Sequence, residues 1–348
     1  MPPASTIGGS VDVREANSYD FVRFCAASAV LFSHHFDLAG FGEPRVPGFG
    51  EDFGEVAVEV FFCLSGFLIC RSLQKQPPWS RFVAARLLRV FPTLALVLVV
   101  SSAATFIWYR NAAHLNAHVL YVIDNLLMFA RGVTFTIPGV FANAAEPDVN
   151  NPIWTLPYEL WCYVLLASAF AFGARRSLVL VVAAAIVLML CWTFNERIDI
   201  DFGPLEDFEV FRLGSYFISG AVLAAVWPSI GRYAIALGFA GLIASVAARN
   251  LLPIDTPLTS LSLATCVIGL GSSGAMAWFG KGGDASYGMY VFAWPIQQFA
   301  LLLIASFWLS LAVAFVVATA IGYACWHGYE RRLMEVSRRL GRSVSAPA

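Results

Sequence analysis

The chain has 348 residues, 59% of them hydrophobic and 13% charged, with a formal net charge of −1. A mean hydropathy of +0.70 excludes an ordinary soluble enzyme, and the near-neutral balance excludes nucleic-acid binding through a general basic surface. Apolar runs long enough to cross a hydrocarbon core of about 30 Å recur along the sequence, which reads as all-α: a polytopic membrane helix bundle.

Residues 1–18 are polar and lack the basic start and apolar stretch of a cleaved signal peptide, so the first apolar helix is expected to be retained. The predicted spans are 19–36, 54–73, 87–108, 153–172, 177–194, 208–227, 233–248, 258–279, 286–304 and 311–327. The stretch 118–130 is apolar but only about half a bilayer long. If it does not cross, Arg71, Arg86, Arg89, Arg175, Arg232 and Lys281 collect on one face with the basic C-terminal segment. The acidic loops around Glu51, Asp148 and Asp201 then collect on the other. The positive-inside rule therefore predicts about ten transmembrane helices, both termini cytoplasmic, and one interfacial or re-entrant segment, with an eleventh crossing as the alternative. The expected organisation is a cytoplasmic N-terminal tail at 1–18, a transmembrane domain at 19–327 and a basic cytoplasmic tail at 328–348. The seven cysteines all lie in apolar segments without metal-type clustering, so they read as core packing and no metal is expected.

The first span, "YDFVRFCAASAVLFSHHFDL", carries Arg23 and His34 eleven residues apart. That spacing rotates about 1,100°, within roughly 20° of three turns, and rises about 16 Å, so the two share a face. Ionisable groups inside a membrane usually mark a path or a site; a snorkelling arginine and an interfacial histidine are the competing reading. His35, turned about 100° from His34, reads as interfacial. In "EVFFCLSGFLICRSL" the small pair Ser65 and Gly66 lets a neighbouring helix approach closely. In "SRFVAARLLRVFPTL", Arg86 and Arg89 share a face at the expected cytoplasmic mouth, as a phosphate clamp or as a stop-transfer cluster. In "NPIWTLPYELWCYVLL", Glu159 lies a turn or two inside the outer boundary, at the expected depth of His34. A buried glutamate is costly unless paired or protonated; it is expected to orient His34 or to pair with Arg212.

Together these segments resemble the acyltransferase 3 family of integral-membrane acyltransferases. Its opening motif, an aspartate, an arginine and a histidine after ten intervening residues, is matched by Asp20, Arg23 and His34. Its FFxLSGFL pattern is matched by Phe61 to Leu68, its RRxxRxxP pattern by Arg86, Arg89 and Pro92, and its WSLxxE pattern by Trp154, Thr155, Leu156 and Glu159. Its late SYxxYLxHxP pattern is matched by "SYGMYVFAWP". Ala85 replaces the first paired arginine, Thr155 a usual serine, and Ala293 and Trp294 stand near the place of the late histidine.

The resemblance implies transfer of an acyl group, usually acetyl from cytoplasmic acyl-CoA, to a hydroxyl of an envelope or secreted glycan. Arg86 and Arg89, with Arg23 nearby and Ser65 within the second motif, are then expected to bind the donor, whose pantetheine arm follows the Arg23 to His34 face. His34 is general base or transient acyl carrier, and Glu159 fixes its tautomer. Asp20 and His35 support this machinery. Trp154 and Arg212 suit acceptor binding, and equally an interfacial belt. No cofactor is expected to be held permanently; acetyl-CoA is a co-substrate. The expected partners are acyl-CoA, a carbohydrate or lipid-linked glycan, membrane lipid and a second copy of the chain, not nucleic acid, and the expected location is a bacterial inner membrane. A secondary transporter or flippase of a proton-coupled or lipid-linked sugar substrate would share the intramembrane Arg, His and Glu, and a non-catalytic assembly subunit would tolerate loss of His34.

Overall fold

The computed structural model describes residues 17–110, 114–172, 184–187, 202–248 and 255–340. The chain forms α1 (Tyr19–Leu38), α2 (Phe53–Gln74), α3 (Trp79–Trp108), α4 (Leu115–Leu126) and the single turn α5 (Met128–Arg131). A 3-10 turn at Pro152–Trp154 leads into α6 (Thr155–Ala171), followed by α7 (Asp207–Ile230), α8 (Ala234–Ala248) and α9 (Asp255–Ser272). The last elements are α10 (Ser286–Leu303), α11 (Phe307–Cys325) and α12 (Arg331–Leu340). Among the described residues the only β pairing is in two isolated bridges, so the all-helical expectation holds.

The predicted spans other than 177–194 fall on these helices; that one lies almost wholly outside the described residues. Among the described residues, five continuous helical segments are long and apolar enough to cross a membrane, namely Phe53–Gln74, Trp79–Trp108, Pro152–Ala171, Asp207–Ala248 and Phe307–Leu340. The chain is an integral membrane helix bundle, and the expected count of about ten crossings exceeds what helix length and composition alone support. The apolar stretch 118–130 becomes α4, whose 12 residues extend about 18 Å along the flank of α3, where Ser102 Oγ lies 3.3 Å from His118 Nδ1.

Glycine sets the closest helix crossing. A Cβ on Gly66 would sit 1.8 Å from the carbonyl oxygen of Phe217, and one on Gly220 would sit 2.1 Å from that of Cys63. Only hydrogen at both positions lets α2 and α7 pack backbone to backbone, as small-residue interfaces do in membranes.

Two non-helical segments position the site. The loop between α1 and α2 turns back on itself: Val46 N donates to Glu51 O, Phe53 N donates to Pro44 O, and Arg45 bridges Asp52. Asp52 then caps α2, accepting from Glu55 N at 2.7 Å while Glu55 accepts from its backbone, a reciprocal capping box.

The segment before α6 runs beside α10 into the bundle. Gln298 donates to the carbonyls of Glu146 and Asp148, Trp294 Nε1 to that of Asp148, and Tyr290 OH to that of Pro152, while Asn150 donates to Val291 O. From Gln298 to Tyr290 is eight residues of α10, about 12 Å. Irregular backbone inside a helix bundle survives only when protein side chains satisfy it. The segment 146–154 is therefore an irregular stretch held along α10, a different stretch from the 118–130 expected as interfacial or re-entrant, and α6 begins beside Tyr290.

Candidate functional site

A cavity of about 750 Å³ opens between α1, α2, α3, α6, α10 and α12. Its wall carries the sequence-predicted donor residues Arg23, Ser65, Arg86 and Arg89, together with Asp20 and Glu159. Positions far apart in sequence thus converge on one space, because α1 and α10 run alongside each other and α3 closes the same end.

The three arginines differ in their partners. Arg89 is held by Asp284 at 2.6 Å and by the buried Glu330 at 2.9 Å. Arg23 reaches Asp20 at 3.1 Å and Asp284 at 3.5 Å. Burial opposes ionisation of Asp284, but Arg89, Arg23 and two Ser286 hydrogen bonds outweigh it and bring the carboxyl down to about 2. Arg86 has no ion-pair partner among the described residues; its guanidinium lies over the rings of Phe82 and Tyr163, at 5.7 and 5.9 Å, and its Nε is buried without a hydrogen bond. Arg86 thus faces the cavity as a cation with no carboxylate at ion-pair distance among the described residues.

Deeper in, Glu159 accepts from Ser65 Oγ at 2.8 Å and from the Tyr163 hydroxyl. Glu159 is therefore not the partner of His34. A Cβ on Gly54 would lie 3.5 Å from His34 Cε1, and Ser65 stands eleven residues further along α2, about 16 Å. The position expected for Glu159 assumed that α6 starts level with the end of α1; the run of 146–154 along α10 carries it away from His34.

His34 has a different carboxylate. Its Nδ1 lies 2.8 Å from Glu43 Oε1, and Ser33 Oγ donates to Glu43 Oε2. Burial alone would raise the Glu43 carboxyl, but His34, Ser33 and Asp52 together hold it below the ordinary carboxylate range. An ionised carboxylate only accepts, so Nδ1 carries the hydrogen and Nε2 is the basic nitrogen of the neutral ring. Nε2 has no hydrogen-bond partner among the described residues. Trp294 packs its edge against the imidazole, ring centroids 5.1 Å apart, so the residue near the place of the family's late histidine touches the histidine of the opening motif.

The cavity stops short of this pair. Its innermost lining on α2 and α10, Val58 and Tyr290, stands one helical turn, about 6 Å, from Gly54 and Trp294, which flank His34. The open path follows α2, not the Arg23 to His34 face of α1. On that face Ala27 and Val30 are fully buried, and Gln297 reaches across to the carbonyl of Leu31 at 2.7 Å. Small residues there let α10 seal the face that the helical spacing left free.

The remaining sequence candidates lie elsewhere. Arg212, 4% exposed, is saturated by Glu59 at 3.0 Å and by Glu209 at 3.0 and 2.8 Å; it neither meets Glu159 nor lines the cavity. His35 turns to α11, with Nε2 2.9 Å from Ser310 Oγ, and takes no part in the His34 pair. Trp154 ends the 3-10 turn before α6, packs on Tyr158 at 5.6 Å and does not line the cavity. Sequence reasoning missed Glu43, Asp284 and Glu330. The signal for Glu43 was the turn Gly40-Phe41-Gly42 after α1, with both glycines at positive φ; two left-handed positions so close reverse the chain and bring the next acidic residue back to the helix end.

Residues 17–327 match the family described as an acyltransferase domain. The chain is 27% identical to an O-acetyl transferase of Shigella phage Sf6 over 92% of its own length and 97% of the relative's. It is 26% identical to nodulation protein 10 of Rhizobium leguminosarum bv. viciae, over 79% and 81% respectively. No solved structure matches. The transporter alternative gives way to these findings: the chain belongs to the acyltransferase 3 family and is an acyltransferase of groups other than aminoacyl.

Proposed function

We propose that the protein transfers an acetyl group from cytoplasmic acetyl-CoA to a hydroxyl of a cell-envelope or secreted glycan. The observation that carries this reading is the cavity that joins Arg23, Arg86 and Arg89 at one end to Ser65, Glu159 and Tyr290 at the other, one turn from the His34 and Glu43 pair. Arg86, the unpaired cation, takes the CoA diphosphate, and Arg89 and Arg23 add to the field while staying fixed by their carboxylates. The pantetheine arm runs along α2 past Ser65. At the inner end the acceptor oxygen attacks the thioester carbonyl while His34 Nε2 takes the hydroxyl proton. The C–O bond forms, the C–S bond breaks, and the proton passes to the departing thiolate. Glu43 holds the ring in the required tautomer and stabilises the imidazolium.

Acetyl as the group is supported by the name of the phage Sf6 relative. The glycan acceptor and a bacterial inner membrane with both termini cytoplasmic are supported by the family resemblance and the charge distribution. The test is transfer of radiolabel from acetyl-CoA into an envelope-glycan extract by membranes holding wild type or His34→Ala at equal protein level. Label in glycan with the wild type alone supports the reading. Label unchanged with His34→Ala refutes the role given to His34, and no label with the wild type refutes the choice of donor or acceptor. Label retained on the wild-type protein without acceptor, and absent from His34→Ala, assigns the carrier role in place of the base.

A further inference from the structure

The sequence places a basic tail after residue 327; the structure makes part of it a wall of the cavity. α11 passes into α12 through one π turn at Trp326–Glu330, a local irregularity that often marks a functional site. This turn is fastened at several points. Glu330, 1% exposed, accepts from Arg89 and from Thr93, Tyr329 OH donates to Thr93 at 2.9 Å, and His327 Nε2 lies 2.9 Å from Gly282 O. α12 therefore starts from a fixed point beside the arginine cluster.

The α12 residues on the cavity wall are Arg331, Met334, Glu335 and Arg338, the spacing of one helical face. Leu333, Val336 and Leu340 fall on the opposite face, where Val336 and Leu340 are exposed. Lys281, on the loop before α10, lines the same mouth. The inner arginines Arg23 and Arg89 are occupied by carboxylates. In this outer group Arg331 holds only the exposed Glu335 at 3.4 Å, and neither Lys281 nor Arg338 has an ion-pair partner among the described residues. Arg338 is eight residues beyond Glu330, about 12 Å along the helix axis. The cavity wall thus carries an outer basic group, running from Arg331 beside Glu330 out to Arg338, in addition to the inner arginines.

We propose that α12 supplies a second phosphate subsite, in which Arg331 and Arg338, with Lys281 at the same mouth, hold the 3′-phosphate of CoA. This rests on the acyl-CoA reading above. CoA presents two phosphate groups with the ribose between them, a diphosphate and a monoester, and the inner arginines and the outer basic group match that pattern. Guanidinium forks bind a terminal phosphate bidentately. α12 lies beyond the matched family region, 17–327. The consequence of the subsite is selectivity: a donor that ends at the diphosphate, or a free pantetheine thioester, forfeits the outer group.

The test uses full-length protein in phosphatidylcholine nanodiscs, titrated with CoA and with 3′-dephospho-CoA. The wild type is expected to bind CoA about tenfold more tightly, the scale of one charge-assisted contact. Arg338→Gln and Arg331→Gln each reduce that ratio toward one by weakening CoA, and leave 3′-dephospho-CoA unchanged. Arg339→Gln, which alters the same charge on a position off the cavity wall, keeps the full ratio. Equal binding of the two ligands by the wild type, or a ratio that survives in Arg338→Gln, overturns the proposal while leaving the acyl-CoA reading intact. Failure of the wild type to bind either ligand overturns both. If the variants keep the ratio but lose retention on phosphatidylglycerol vesicles, the phosphate held by α12 is a lipid headgroup and the proposal is overturned.

Discussion

Replacing Glu43 with glutamine removes one negative charge and little else, since the amide keeps the shape and a hydrogen-bonding oxygen for Ser33. The substitution abolishes the charge-assisted hydrogen bond with His34 Nδ1, 2.8 Å long and shielded enough that the His34 side chain is 14% exposed. A hydrogen bond to a charged group contributes about 1.5–3 kcal/mol. If that stabilisation is felt when the imidazole becomes imidazolium, kcat falls about 10- to 150-fold, at about 1.36 kcal/mol per tenfold. The donor KM is expected to stay unchanged, because Glu43 does not line the donor cavity. Initial rates of acetyl transfer, with kcat and donor KM separated and melting temperature as a folding control, read the result. A kcat within twofold of wild type, or a loss confined to KM, refutes the assignment of Glu43. Glu159→Gln serves as the contrast: through Ser65 it is expected to raise donor KM, and a kcat-only effect equal to that of Glu43→Gln would return the positioning role to Glu159.

Arg86→Ala is expected to raise the donor dissociation constant roughly tenfold or more with little change in melting temperature, because among the described residues no carboxylate lies at ion-pair distance from Arg86. Arg89→Ala also strands Asp284 and Glu330 and is expected to lower melting temperature as well; equal thermal stability of the two variants contradicts the pairing. Asp284→Asn breaks a buried charge pair and should cost about 3 kcal/mol. Because the Asp284 carboxyl is held down to about 2, that stabilisation is complete above the ordinary carboxylate range and disappears as pH falls from about 4 toward 2. Melting curves of wild type and variant should converge only there, and a gap that closes near neutral pH refutes the assignment. Gly66→Ala places a methyl 1.8 Å from the Phe217 carbonyl oxygen, so α2 and α7 must separate at a cost of about 1–3 kcal/mol or more. Folded yield by size-exclusion chromatography checks this, and a wild-type elution profile and melting temperature would contradict the close crossing.

The sequence by itself determined the class of the protein, most helix positions, and several of the residues that meet in the cavity. Apolar runs set where helices form, because a backbone in hydrocarbon must satisfy its hydrogen bonds within one segment. Charged side chains inside such runs are too costly to be incidental, which is why Arg23, Arg86, Arg89 and Glu159 were visible and do line one wall. Helical spacing also read the small face at Gly66 correctly, since close approach needs only the absence of a side chain. What spacing could not supply was placement and pairing. Glu159 looked level with His34 because α6 is assumed to start level with the end of α1; the run of 146–154 along α10, satisfied by Asn150, Tyr290, Trp294 and Gln298, moved it about 16 Å away. Arg212 looked available to Glu159 or to an acceptor because Glu59, on α2, meets it only when α2 and α7 cross. Glu43 reached His34 through a glycine turn whose direction no periodic pattern encodes. Helical period is a local property of the chain, whereas the partner of a buried charge is decided by which segments pack beside it. The tertiary structure alone therefore determined that His34 belongs with Glu43, and that α12 lines the same cavity as Arg86.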